Sequence, residues 1–168
     1  MSLASPSPSA AARFELASGI FLRLYQCANM LHKTGAKAMQ EEGLTTQQWV
    51  VMGALAPSCV ASGLAIHELA RYLMVSRQNL AGVLKRMESA GHIRISSDLR
   101  DRRSRIVQMT ESGRMVWRNQ ALPKIRSYYD QALDEFSTGD LTHILHYMMK
   151  LLENMKQLDQ KPADETEL

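Results

Sequence analysis

Residues 66–109 constrain what this chain can fold into more than any other stretch. From Ala65 they read AIHELARYLMVSRQNLAGVLKRMESAGHIRISSDLRDRRSRIVQM: two short apolar-periodic segments, a tight connection, then two alternating segments around an arginine-rich centre. In the second segment Leu80, Val83, Leu84 and Met87 recur at i, i+3, i+4 and i+7, which puts all four on one stripe of an α-helix. Gln78, Gly82, Lys85 and Ser89 fall on the other side. Ser76 stands before this helix as an N-cap, and Gly91 follows as a C-terminal stop. In the first segment Ile66, Leu69, Ala70 and Leu73 share one side of a helix expected over Ile66 to Met74. The link through Val75 has the length of the turn in a helix-turn-helix.

The first turn of the second helix offers Arg77, Gln78 and Asn79, side chains that form bidentate contacts with guanine or adenine edges in a major groove. Ala81 and Gly82 keep the next turn slim, and Ser76, Lys85 and Arg86 are placed to hold phosphates. After Gly91, Ile93 and Ile95 alternate with Arg94 and Ser96, and Ile106, Val107 and Met109 supply a second strand. Between them Arg100, Arg102, Arg103 and Arg105 crowd a solvated hairpin tip, where like charges repel and no core is formed. A narrow, negative minor groove is a natural place for such an arginine. Asp98 and Asp101 can pair with neighbouring arginines, although exposed pairs stabilise by only ~0 to 1 kcal/mol; their use is to shape the tip.

Charge supports a local footprint. Residues 66–109 hold nine Lys or Arg against four Asp or Glu, while the chain as a whole carries a net charge of only +3. A basic segment on a near-neutral body suits a nucleic-acid contact. The 168 residues give room for one domain with a proper core. No apolar run approaches the ~20 residues of a membrane span. MSLASPSPSAAA at the N-terminus lacks a charged leader and a long apolar core, and reads as a disordered tail over residues 1–12. The two cysteines, Cys27 and Cys59, show no CxxC or metal-like spacing, which fits a reduced, cytoplasmic setting.

Outside the central stretch the pattern is helical. Residues 13–43 carry Phe14, Ala17, Phe21, Leu24, Tyr25, Ala28 and Leu31 on one broad side, and Gly43 ends the run. Thr45 caps a helix containing Trp49, Val50, Met52, Ala54 and Leu55, stopped at Pro57 and Ser58. Cys59 to Gly63 reads as a surface connection. After Thr110 one long helix is expected to about Glu135, bent by Pro123. Ser137 or Thr138 then caps a last helix whose Leu141, Ile144, Leu145, Met148, Leu151, Leu152, Met155 and Leu158 form a near-heptad stripe. That stripe needs a partner, either the first helix of the same chain or a second copy. Residues 160–168 read as a polar, disordered tail.

Four motifs, LTTQQW at Leu44 to Trp49, ELARYLMVSRQNLAGVLKRMESAGHI, the wing DLRDRRSR and the MTESG that follows, resemble the MarR (multiple antibiotic resistance regulator) family in content and order. The resemblance implies a mainly α fold with a small β wing: a winged helix-turn-helix over residues 44–110, flanked by N- and C-terminal dimerisation helices over 13–43 and 111–159. It implies a homodimer on a pseudo-palindromic double-stranded DNA operator, a repressor released by a small molecule, and Arg102 as the arginine that enters the minor groove. Some members sense oxidants through a cysteine near the start of the first helix, a position that falls near Phe21 here, with Cys27 further along.

By the same analogy an effector pocket is expected between the dimer region and the winged helix, with Asn29, His32 and Trp49 as candidates and Met52 as an apolar wall. An aromatic carboxylate or phenol suits an indole for stacking and a histidine or amide to orient an oxygen. Other chemistry has little support. His143 and His146 stand three apart but lack a third ligand, so no metal site is expected; no cofactor motif, phosphate loop or nucleophile elbow is present. No catalytic residue is assigned and the chain is read as a non-enzyme. The rival readings are an oxidant-sensing regulator and a winged helix that binds only protein.

Overall fold

A computed structural model describes residues 8–60, 62–98 and 104–160, the side chains of residues 8 and 59 excepted. Arg100, Arg102, Arg103 and Asp101 lie outside the described residues, as do residues 1–7 and 161–168 of the two tails. The chain divides into two compact units, Met1–Tyr128 and Tyr129–Leu168.

The first unit opens with α1 (Pro8–Ala38), which starts before the expected Arg13 and takes in the end of the expected tail. Much of its apolar surface meets water: Phe14 is 70% exposed and Tyr25 68%. Only its C-terminal end packs inward, where buried Gly35 lies against the Trp49 ring and Met39 is fully enclosed. Gly43, at φ 63, closes the turn that follows. There Lys124 pairs with both Glu41 and Glu42.

The LTTQQW motif then builds α2 (Thr46–Leu55). Thr45 accepts from the Gln48 N–H while its own N–H donates to Gln48 Oε1 at 2.8 Å, a reciprocal capping box. Thr46 Oγ1 donates to the His32 carbonyl at 3.2 Å and ties α2 to α1. Trp49 is buried, its ring centroid 5.7 Å from that of Tyr128, whose hydroxyl shares a 2.8 Å hydrogen bond with Thr34. A 3₁₀ turn at Ser58–Val60 leads to β1 (Leu64–Ala65), a two-residue strand in what reads by sequence as a plain connection.

The helix-turn-helix follows as α3 (Ile66–Tyr72) and α4 (Arg77–Ser89). Leu69 and Ala70 of α3 are buried, while Ile66 and Leu73 are half-buried. Both helices end in the same hydrogen-bond pattern. After α3, Met74 N–H reaches the Arg71 carbonyl and Val75 N–H the Ala70 carbonyl; after α4, Gly91 N–H reaches Glu88 and His92 N–H reaches Met87. These are Schellman caps, which need one residue at positive φ. Gly91 supplies it at φ 74, whereas α3 uses Met74 at φ 54.

β2 (Ile93–Ser97) and β3 (Arg105–Met109) form the wing, an antiparallel pair with Ile95 opposite Val107, and β1 adds to the far edge of β3. Ile93, Val107 and Met109 face the core with Leu69, Leu80, Leu84 and Met87. MTESG has a packing explanation: Thr110 Oγ1 accepts from Gly113 N–H and donates to the Gly91 carbonyl at 2.6 Å. A Cβ on Gly113 would overlap the His92 carbonyl oxygen. That motif fastens the next helix onto the base of the wing.

The expected long helix from Thr110 to Glu135 is interrupted. α5 (Glu111–Val116) passes through a π turn at Trp117–Ala121 into α6 (Leu122–Ala132). Leu122 N–H donates to the Trp117 carbonyl, five residues back. Pro123 has no N–H to give Asn119, and its ring crowds the carbonyl four residues earlier, so the strain is relieved by widening the preceding turn.

In the second unit α7 (Thr138–Gln160) begins at a box in which Ser137 Oγ accepts from Asp140 N–H and Ser137 N–H donates to the Asp140 carboxylate at 3.0 Å. The Ser137 hydroxyl, which also donates to that carboxylate at 2.6 Å, and then the Ser137 N–H hold the Asp140 carboxyl below its ordinary pKa. No residue of α7 is buried, and Leu145 and Leu158 are 61% and 67% exposed. None of the described helices is long and apolar enough to cross a membrane.

Candidate nucleic-acid interface

α4 has two unlike sides. Leu80, Val83, Leu84 and Met87 are buried, whereas Arg77, Gln78, Asn79, Ala81, Gly82, Lys85 and Arg86 are exposed. Ser76 caps the helix by accepting from Asn79 N–H at 3.1 Å, which fixes the first turn and its three base-reading candidates on a rigid element. The free N–H groups of that turn also favour a phosphate. A Cβ added to Gly82 would meet only the Arg86 guanidinium, at 3.8 Å. Nothing among the described residues therefore requires this glycine, although glycine costs about 0.5–1 kcal/mol in a helix interior. A surface approaching closely from outside would require it.

The wing supplies the second part of the surface. Arg105 is exposed at the start of β3, directly opposite Ser97. Asp98 N–H donates to the Ser104 carbonyl at 2.9 Å, so the hairpin is closed up to the arginine-bearing residues between them. Three features escape a sequence reading: Glu88 Oε1 accepts from Ile95 N–H at 2.9 Å, Arg94 Nε donates to Gln108 Oε1 at 2.9 Å, and Gln108 Nε2 donates to the Ser62 carbonyl at 2.6 Å. Arg94 stands out in the sequence as a polar position between Ile93 and Ile95, and Gln108 does not. Their pairing depends on a register that the sequence does not print.

The effector candidates do not converge. A cavity of about 260 Å³ opens between the helices, walled by Leu31 and His32 of α1, Gln47 and Val50 of α2, Val75, and Asn79 of α4. His32 is thus at the cavity and Asn29 is exposed on α1. Trp49 and Met52 are not in its walls. They are 3% and 0% exposed, because they lie on the side of α2 that faces the core, with Trp49 against Tyr128 and Gly35. The wall that α2 does present carries Gln47 and Val50 instead. Cys27 is exposed on α1. At the foot of the wing, His92 Nδ1 is buried without a hydrogen-bond partner among the described residues, and burial pushes its pKa below the ordinary value.

This arrangement matches known proteins. The MarR family model matches residues 42–104. The chain is 60% identical over 158 residues, 94% of its length, to the transcriptional activatory protein BadR of Rhodopseudomonas palustris, of which it covers 90%. The fold is that of AbsC, a MarR family transcriptional regulator from Streptomyces coelicolor, at a TM-score of 0.71 and 22% identity over 94% of this chain and 99% of that one. It is also that of the M. tuberculosis regulator MOSR in complex with DNA, at 0.70 and 21% identity over 82% and 96%. The chain belongs to the MarR family of transcription regulators.

Proposed function

We propose that the protein acts as a homodimer on a pseudo-palindromic duplex, each copy placing α4 in a major groove and its wing in the adjacent minor groove. The observation that carries the reading is the two-sided α4, buried along one stripe and polar along the other, with a glycine that none of the described residues requires. Arg77, Gln78 and Asn79 read bases. Ser76, Lys85 and Arg86 hold phosphates. Arg102 enters the minor groove, with Arg100, Arg103 and Arg105 beside it. Two-fold symmetry then sets the half-sites about 10 base pairs, or ~34 Å, apart. The test is binding of Gln78→Ala to single-base variants of a selected duplex: a loss of ~1 to 3 kcal/mol confined to one position supports base reading. An equal loss on every duplex contradicts it.

Dimerisation rests on the large apolar side chains that α1 and α7 each leave in water, more than a monomer tolerates. On direction of control the family resemblance implies repression, but the relative at 60% identity is named an activatory protein; at that similarity we take activation as the function in a cytoplasmic setting. Effector sensing rests on the cavity in which His32 of α1 and Asn79 of α4 share a wall. An aromatic carboxylate or phenol held there competes with DNA for Asn79. A thermal-shift screen of aromatic acids, followed by operator binding of each hit, tests this; a His32→Ala variant that keeps the full response removes the site.

A further inference from the structure

The wing is three-stranded only over its middle. β1 pairs with β3 at Val107 and Ile106, so the root pairs Ile93–Met109 and Arg94–Gln108 and the outer pair Ser97–Arg105 belong to β2 and β3 alone. Two-stranded ribbons twist and bend easily. Two side-chain links oppose this. On the open edge of β2, Ile95 N–H is held by Glu88 Oε1 from the last turn of α4. On the outer face Arg94 and Gln108, directly opposed, are joined by Arg94 Nε–H to Gln108 Oε1, and Gln108 Nε2 goes on to the Ser62 carbonyl. One amide thus ties both wing strands to the backbone entering β1. Gly63 lets that backbone lie flat on the strand, since a Cβ there would overlap Gln108 Cγ and Ile106 Cγ2.

We propose that Glu88 and the Arg94–Gln108–Ser62 chain are positioning groups that set the pitch of the wing against α4, so that one copy reads both grooves at once. The proposal rests on the minor-groove reading of the wing. From Arg94 to Asp98 a strand runs about 14 Å, so a tilt of about 10° at the root moves its end by about 2 Å, against a minor groove about 6 Å wide. Glu88, Arg94 and Ser62 are exposed and Gln108 half-buried. Links of this kind add little to global stability, so their loss is felt in binding and not in folding.

The test uses a duplex selected by the full chain from a random pool, with flanks rewritten as A·T or G·C runs. Gln108→Leu removes both of its links and Glu88→Ala removes the other. Each should weaken binding about five- to tenfold with A·T flanks and less than about twofold with G·C flanks, with little change in melting temperature. In an Arg102→Ala background neither should weaken binding further, because no groove-seated arginine remains to be misplaced. Glu88→Gln keeps an acceptor and should bind as wild type. Gln108→Glu keeps the acceptor for Arg94 but loses the donor to Ser62, and should show the flank-dependent loss even if Gln108→Leu folds poorly. Losses that persist in the Arg102→Ala background, or that are equal on both flanks, overturn the proposal. If Arg102→Ala weakens binding and the other variants do not, the links have no positioning role. If Arg102→Ala itself has no effect, the minor-groove reading fails and takes the proposal with it.

Discussion

Gly82 and Met74 are each the residue that helix chemistry alone would not choose. In the middle of α4 an alanine has room, with Arg86 at 3.8 Å as its nearest neighbour. Gly82→Ala should therefore raise stability by about 0.5–1 kcal/mol and yet weaken DNA binding by about 1 kcal/mol or more, as a methyl group is forced into a close-packed contact. Urea unfolding and a duplex titration on the same sample check both halves. A more stable variant with unchanged affinity would mean that Gly82 does not face the groove. Met74 holds φ 54 with its side chain 53% exposed. Met74→Gly relieves the left-handed strain at the cost of a floppier unfolded chain, for a net gain of about 0.5–1 kcal/mol. A loss on urea unfolding would contradict this and give the Met74 side chain a packing role.

His92 belongs to the same scale and carries a pH dependence. Its folded pKa lies below the ordinary 6.5 because burial penalises the charged ring. Between the folded and ordinary values the unfolded chain binds more protons, so stability rises with pH there. The contribution is complete above pH 6.5 and is lost as pH falls through the lower folded pKa. Glu41 acts in a more acid window: Lys124 holds its carboxyl below the ordinary 4.5, and that contribution disappears as pH falls through the depressed value. Melting temperature followed from pH 8 to 5 should fall for wild type and stay flatter for His92→Gln. Identical curves would show that the ring is not enclosed in solution.

At the scale of elements, what was legible in the sequence was what local chemistry decides. The stripe of α4, its Ser76 cap and its Gly91 stop follow from spacing and capping within a few residues, and the structure reproduces them. So do the Thr45 cap and the two wing strands. β1 was not legible, because two residues have no period. The π turn was half legible: Pro123 announces a disturbance, but that it is absorbed at Trp117–Ala121 depends on how the preceding turn relaxes. Trp49 shows a different limit. α2 is apolar around most of its circumference, so its pattern cannot say which side faces a cavity, and contact with Tyr128 and Gly35 decides it. The links from Glu88 and Gln108 were hidden because they join residues brought together only by strand register.

At the scale of the whole molecule, the apolar surfaces of α1 and α7 make a second copy part of the account. Light scattering at micromolar concentration should give a dimer. Leu145→Glu or Leu152→Glu should produce monomers that also lose operator binding, since one recognition helix spans too few base pairs alone; monomers that bind undiminished would separate assembly from function. The central claim, that α4 and the wing read DNA through different grooves, is tested most directly by salt titrations on two operators differing only in their flanks. Lys85→Ala, losing a phosphate contact, should lower the slope of log affinity against log salt by roughly 0.9 on both. Arg102→Ala should weaken binding without unfolding the protein, and more on the A·T-flanked operator, where the groove is narrowest. Equal losses for Arg102→Ala on both operators would make it a backbone contact only, and an undiminished affinity would contradict the account of the wing.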